Sequence, residues 1–445
     1  MINRFKKYIR ENKLIQSGDS ILLAVSGGID SVVMLDLFDK AGINYAIAHC
    51  NFKLRDNESD EDEMFVRQLA HNYDVDIFVT VCKAADYAKT NGLSIQESAR
   101  DLRYSWFNKV CLHNNYSLVA VGHNQDDNIE TFFINLFRGA GIKGLKGIPV
   151  KRNNIIRPLL FATRSEIIVY AKDNNITFRE DSSNSSDYYL RNKIRHHLIP
   201  KIEDISPGFA NTAKKSIDNL VEADLLLESV IKDKKEQLFV INSDSTVQIS
   251  ISEIRNLIPT SVWMYYLLSG FGFIRQITDA ICISIESSDK IGSRFSSTDY
   301  ELLIDRDNLI IRSKENKTPR ERINITSVQS ELTHPMKMVM ENKVNTSNFI
   351  FNNSKKIAYF NMDKLSFPLT MRPWEVGDRI IPFGMSGSKL VSDILIDHKV
   401  NTFEKENTFV LISNKKIIWV IGYRTSNEFR VKKSTKDIYV ISLII

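Results

Sequence analysis

Between residues 20 and 42 an apolar run, SILLAV, is interrupted by two glycines and resumes at once as IDSVVMLDLFDKAG. Six uncharged residues rich in branched aliphatics read as a strand buried on both faces. The continuation carries apolar residues at helical spacing and stops at Gly42, so it reads as a helix. A buried strand that passes into a helix through a short glycine turn is the repeating unit of a parallel α/β sheet. The turn itself, Ser26, Gly27, Gly28, Ile29, Asp30 and Ser31, is chemically loaded. Its glycines let backbone amides approach an oxyanion, and the start of a helix adds partial positive charge. Ser26 and Ser31 add hydroxyl donors. A turn that merely needs flexible backbone would explain SGG alone, but the complete SGGIDS string between strand and helix points to phosphate binding. The loop lacks the lysine of a Walker sequence and is not a GxGxxG dinucleotide turn.

Further strand-like segments follow at regular intervals: NYAIAHC, DVDIFVTV, SLVAVGH and the short NIIRPLL. Helical stretches separate them. One is started by an acid-rich segment (Asp56, Glu58, Asp60 to Glu63), one is capped by Ser94 with Glu97 and carries Ile95, Ala99, Leu102, Trp106 and Val110 as its stripe, and one is capped by Thr163 with Glu166. The alternation predicts a parallel sheet covered on both faces, with ligands beyond the carboxyl ends of its strands. EDSSNSSDYY (180–189) reads as the loop closing this domain. A chain of 445 residues is too long for one core. The predicted organisation is a nucleotide-binding α/β domain over 1–203, a mainly helical domain over 204–310, linker or irregular β over 311–365, and an α+β domain over 366–445.

Nothing in the chain approaches the ~18 consecutive apolar residues of a membrane span, and MINRFKKYIRENK has no apolar core of a secretory signal. A cytoplasmic protein without a membrane partner is expected. Four widely spaced cysteines form no CxxC and no cluster at metal spacing, so they read as reduced thiols, and no resident metal site is expected. The net charge of +5 is mild, but its distribution is uneven. From Thr131 to Ser165 there is no acid, while Arg138, Lys143, Lys146, Lys151, Arg152, Arg157 and Arg164 occur. A second acid-free run, Tyr188 to Lys201, holds Arg191, Lys193, Arg195, His196, His197 and Lys201. Such stripes suit a phosphate backbone or a solvated face.

Beyond the SLVAVGH strand come His123, Asp126, Asp127 and Glu130 in GHNQDDNIET. Asp126, Asp127 and Glu130 fall at the start of a helix and share one face, where two carboxylates could hold an ammonium group or Mg²⁺. Acids favoured by a helix N-terminus are the plainer explanation. His123 reads as a satisfied strand-end histidine, a base, or a phosphate ligand.

The SGGIDS loop resembles the PP-loop of N-type ATP pyrophosphatases. HCNFKLR, QESARDLRY, GHNQDDNIET, RGAGIKGLKGI, IIRPLL, EDSSN and LRNKIRHHLIP follow in the order and spacing of the tRNA(Ile)-lysidine synthase family, over most of 18–201. MRPWEVGDRIIPFG, SKLVSDILIDHKV and KIIWVIGYR resemble that family's C-terminal domain, although SKLVSD is less basic than expected and Asn401 stands where proline is common. The resemblance implies ATP as cofactor, with Mg²⁺ expected beside it. It implies isoleucine tRNA with a CAU anticodon and free L-lysine as partners, and leaves a homodimer open. The implied reaction has two steps. The wobble cytidine is adenylated with loss of pyrophosphate, and lysine then displaces AMP to form lysidine. Codon reading would change from AUG to AUA, and tRNA identity from methionine to isoleucine. The implied roles give pyrophosphate to the loop Ser26–Ser31, the α-phosphate and Mg²⁺ to Asp30, and the lysine ammonium to Asp127 and Glu130. Arg195 would neutralise a phosphate and His123 would act at the reacting centre. Thiolation of a tRNA base, amidation of a small molecule and tRNA binding without catalysis are the alternatives. The first needs reactive cysteines that these spacings do not offer, and the basic stripes favour a macromolecular substrate over the second.

Overall fold

The computed structural model describes residues 1–54, 57–179, 190–287, 291–316, 321–346 and 349–444. The EDSSNSSDYY loop, and Arg55 and Asp56 in the strings above, lie outside the described residues. Two compact units divide the chain at Ser229 and Val230, within a continuous helix.

In the first unit the elements run α1 (Ile2–Glu11), β1 (Ile21–Ala24), α2 (Ile29–Ala41), β2 (Tyr45–Asn51), α3 (Asn57–Asn72), β3 (Ile77–Val81), α4 (Ala84–Asn91), α5 (Ile95–Asn114), β4 (Leu118–Val121), α6 (Gln125–Phe137), α7 (Ile142–Leu145), β5 (Lys151–Arg152), β6 (Ile155–Ile156), α8 (Arg164–Asp173), α9 (Leu190–Lys193), a π-helical turn (Ile194–Leu198), α10 (Ile199–Ile205) and α11 (Phe209–Leu238). The sheet order is β3-β2-β1-β4-β6-β5, with every pairing parallel except β5 with β6. The expected parallel sheet is therefore present. Strand periodicity sorts its two faces. Ile21 and Leu23 pack with Phe5, Val33, Phe38 and Ile167 on one side, while Leu22 packs with Ala48, Phe107, Val110 and Val119 on the other.

Local signals act as the residues suggest. Gly42 ends α2 in the left-handed conformation at φ 70°, which glycine adopts without steric cost. Capping boxes form at Ser94 with Glu97 and at Thr163 with Glu166. The stripe on α5 is shifted, because Phe107 and Cys111 are buried with Ala99 and Val110 whereas Ile95 is exposed. Helix α4 has no counterpart in the sequence reading.

The second unit is richer in strands than its sequence suggests. The end of α11 leads into an antiparallel five-stranded sheet of Val240–Ile241, Val247–Ser250, Asn308–Ser313, Tyr300–Asp305 and Arg294–Ser296. Helices Thr260–Leu268 and Arg275–Glu286 share its core through Leu267, Ile281, Leu302 and Ile311. Within 311–365, Ile323–Ile325, Glu331–Leu332, Met338–Val344 and Ile357–Asn361 are strands of the C-terminal sheets. Met338–Val344 and Ile357–Asn361 flank Asp437–Leu443, and Ile323–Ile325 pairs with Leu369–Pro373. Arg312, 3% exposed, ties the two parts of this unit together: it pairs with Glu301 and Glu406 and lies 3.9 Å from the centre of the Phe403 ring. Asn401 caps the short helix Thr402–Glu406, its Oδ1 accepting the Glu404 N–H at 2.9 Å, so the residue found in place of proline has a local role. Among the described residues no helix is long and apolar enough to cross a membrane.

Candidate nucleotide and base-activation site

The loop from Ser26 to Ser31 joins β1 to α2 at the carboxyl edge of the sheet. Gly27 has φ +96°, a left-handed conformation that calls for glycine. Gly28 is the N-cap of α2 and brings no side-chain cap, and although the Ser31 N–H donates to the Gly28 carbonyl at 3.0 Å, the helix N-terminus stays open to an anion. Ser31 braces the turn. Its Oγ accepts the Ser26 N–H at 3.2 Å and donates to the Gly28 carbonyl at 2.8 Å, with the Ser26 hydroxyl 3.3 Å away. Strand β4 ends against this loop because Gly122 has no side chain: a Cβ would sit 3.3 Å from the Asp30 carbonyl and the Ser31 nitrogen.

A cavity of about 1240 Å³ opens from the loop, and Ser26, Asp30, Ser31, His123, Asp127 and Arg195 all line it. It exceeds the roughly 300–1,000 Å³ of ordinary small-molecule sites, leaving room for a second substrate beside a nucleotide. The structure thus brings the sequence-selected groups together, with one exception. Glu130 is 0% exposed and stands behind the wall. Its Oε1 accepts from Arg195 Nε at 2.6 Å, and Arg191 Nε lies 3.0 Å from Oε2. The three acids of α6 have separate duties. Asp126 accepts the Arg164 backbone N–H at 2.8 Å, Asp127 forms a capping box with Asn124, and Arg195 Nη2 reaches Asp127 at 3.4 Å.

Asp30 is held by two residues that carried no role in the sequence reading. Asn124 Nδ2 donates to Oδ1 at 2.9 Å, and Arg164 forms an ion pair with Oδ2. Burial pushes the Asp30 carboxyl up, against the pull of Arg164 and Asn124. Burial also lowers His123, with nearby arginines, to about 4. Its Nδ1 is buried without a protein partner among the described residues. At neutral pH His123 is therefore uncharged, and the phosphate-ligand reading loses its charge. Glu130 and Asp127 outweigh the effect of burial on Arg195 and hold it charged.

Not all of the basic stripe faces outward. Arg157 is 3% exposed and donates to the Pro149 carbonyl at 2.6 Å. Lys146 pairs with Asp224 on α11, a carboxylate 2% exposed. Arg164 is turned to Asp30. Arg138, Lys143, Lys151 and Arg152 remain exposed. Cys50 lines the cavity, but burial pushes its thiol up to about 12, so it stays protonated and a poor nucleophile. Among the described residues no three His, Cys, Asp or Glu side chains cluster as a resident metal site. Mg²⁺ arriving with a nucleotide needs one or two carboxylates besides phosphate and water, and Asp30 in this cavity fits that requirement.

Residues 1–202 match the PP-loop domain, residues 242–314 the TilS substrate binding domain, and residues 369–442 the TilS substrate C-terminal domain. The chain is 36% identical over 445 residues to the tRNA(Ile)-lysidine synthase of Parabacteroides distasonis, covering 100% of both. It is 34% identical over 441 residues to that of Bacteroides thetaiotaomicron, covering 99% of each. Among solved structures, a TilS C-terminal domain aligns with 28% of this chain and 99% of its own at 18% identity and a TM-score of 0.25. The match to the curated relatives spans the full length of the chain, and the chain belongs to the tRNA(Ile)-lysidine synthase family.

Proposed function

We propose that this chain adenylates the wobble cytidine of an isoleucine tRNA bearing a CAU anticodon and then joins L-lysine to it, releasing pyrophosphate and AMP. The observation that carries this reading is one cavity lined both by the phosphate loop and by Asp127 and Arg195. A nucleotide seated on the loop would present its α-phosphate to a base entering the same space.

Cytidine O2 attacks that phosphorus, and the leaving pyrophosphate remains on the amides and hydroxyls of Ser26–Ser31. Asp30 would hold Mg²⁺, which would supply charge neutralisation on phosphate oxygens. Asp127 takes the lysine ammonium directly from the cavity wall. Glu130 acts behind it, by orienting Arg191 and Arg195 and adding negative field. His123 enters neutral and lines the space where the base is activated. Arg195 offsets phosphate charge. The amine then attacks C2 of the activated base and AMP leaves. The cytoplasm, where tRNA, ATP and lysine coexist, is the compartment that fits. The test is mass analysis of nucleosides from isoleucine tRNA incubated with the protein, ATP and lysine. Conversion of cytidine to its lysine adduct is the expected outcome, and an unchanged or sulfur-bearing wobble base would refute the proposal.

A further inference from the structure

The phosphate loop carries no lysine, so the loop itself offers a polyanion only amides and two hydroxyls. Helix α8 brings two cations to the same space. Arg164, Ile168 and Lys172 follow one another at four-residue spacing, fall on one helix face and line the cavity that contains Ser26 and Ser31. The adjoining face of α8 is fixed. Ile167 and Ala171 are buried in the core that includes α2, and the Tyr170 hydroxyl donates to Asp36 on α2 at 2.7 Å. The first turn is pinned as well, because Thr163 caps α8 and Asp126 accepts the Arg164 backbone N–H. The helix therefore cannot roll without breaking buried contacts, and its cationic face stays directed at the loop. Lys172 is exposed, and Arg164 rests on Asp30.

We propose that Arg164 and Lys172 are ATP-binding residues that take the polyphosphate chain, and that Arg164 leaves Asp30 for phosphate when ATP binds. The proposal rests on the ATP reading given above. A guanidinium can grip two phosphate oxygens at once, so the exchange replaces one anionic partner by another. It also releases the Asp30 carboxylate as the nucleotide arrives. Ile168, between the two cations, gives the stripe an apolar centre.

The test is calorimetric binding of ATP and of AMP to the full-length protein. Arg164→Gln and Lys172→Gln should each weaken ATP by about tenfold or more and change AMP by less than about twofold. Lys172 is exposed, so Lys172→Gln tests the claim even if Arg164→Gln folds poorly. Partner exchange has its own measurement without Mg²⁺. Asp30→Asn should tighten ATP binding while Arg164 is present, and the gain should vanish in Asp30→Asn/Arg164→Gln. Unchanged ATP affinity in both single variants, or equal weakening of AMP, overturns the phosphate assignment. A gain that persists in the double variant overturns the exchange. Wild-type protein that binds neither nucleotide would instead sink the ATP reading.

Discussion

Arg195 grips Glu130 with both ends of its guanidinium, Nε to Oε1 at 2.6 Å and Nη2 to Oε2 at 3.1 Å, and the carboxylate it holds is out of contact with solvent. The pair joins α6 to the π-helical turn after α9. Glu130→Gln would take the Glu130 carboxylate from Arg191 and leave Arg195 only its longer contact with Asp127, yet both arginine side chains reach solvent at 40% and 33% exposure. The cost should therefore fall below that of a fully buried pair, about 1–3 kcal/mol. Urea unfolding of the two proteins at neutral pH measures it, and equal midpoints would mean that the pair contributes nothing.

Asp127 faces the cavity where Glu130 does not, so the two acids should separate kinetically. Asp127→Asn should raise the KM for lysine by about tenfold or more, from the loss of one charged hydrogen bond. The KM for ATP should move much less. A change confined to the ATP parameters would make Asp127 a metal or nucleotide ligand.

His123 gives the fold an acid sensitivity of known sign. The unfolded imidazole protonates near 6.5 and the folded one near 4, so between those values the unfolded chain binds more protons. The stabilisation is complete above about pH 6.5, declines as pH falls and is lost below about pH 4. Between pH 7 and pH 5 the group should account for about 2 kcal/mol of lost stability. Comparing the wild type with His123→Gln isolates it from the carboxyls that titrate in the same range. Parallel stability profiles for the two proteins would show that His123 is not the group responsible.

The basic stripe should divide according to what each side chain already holds. Lys151 and Arg152 are exposed, and removing either should lower the salt slope of tRNA binding by about 0.7–0.9 if each neutralises one phosphate. Lys146→Ala should leave that slope unchanged and reduce stability instead, because Asp224 would lose its ion pair while 2% exposed. Filter binding across a salt series, paired with thermal melts, reads both effects. A slope lowered by Lys146→Ala would place that lysine on the RNA.

Physical range separates what the sequence discloses from what it conceals. The strand, the SGGIDS turn and α2 are legible because a buried run, two glycines and a helix pattern act on adjacent residues. Capping at Ser94 and Thr163 is legible for the same reason. Arg164 is not, because the carboxylate it holds lies 134 positions away and in the linear sequence it is one more cation in an acid-free run. Asn124 had a local signal, an N-cap three residues before Asp127, but its contact with Asp30 spans the sheet edge. Sequence spacing places Asp127 and Glu130 on one helix face, yet it cannot tell which of them a neighbouring helix covers. The strand at Met338–Val344 was hidden by its polar half and by a partner near the C-terminus. Val240–Ile241 is too short to show alternation.

Pyrophosphate release from ATP, followed with tRNA and lysine each present or absent, tests the central claim that one cavity activates a tRNA base and then receives lysine. Isoleucine tRNA together with ATP should release pyrophosphate, and the addition of lysine should carry the reaction to AMP and turnover. Asp30→Ala should abolish both steps. Release that proceeds equally without tRNA, or that requires a sulfur donor in place of lysine, would contradict the account.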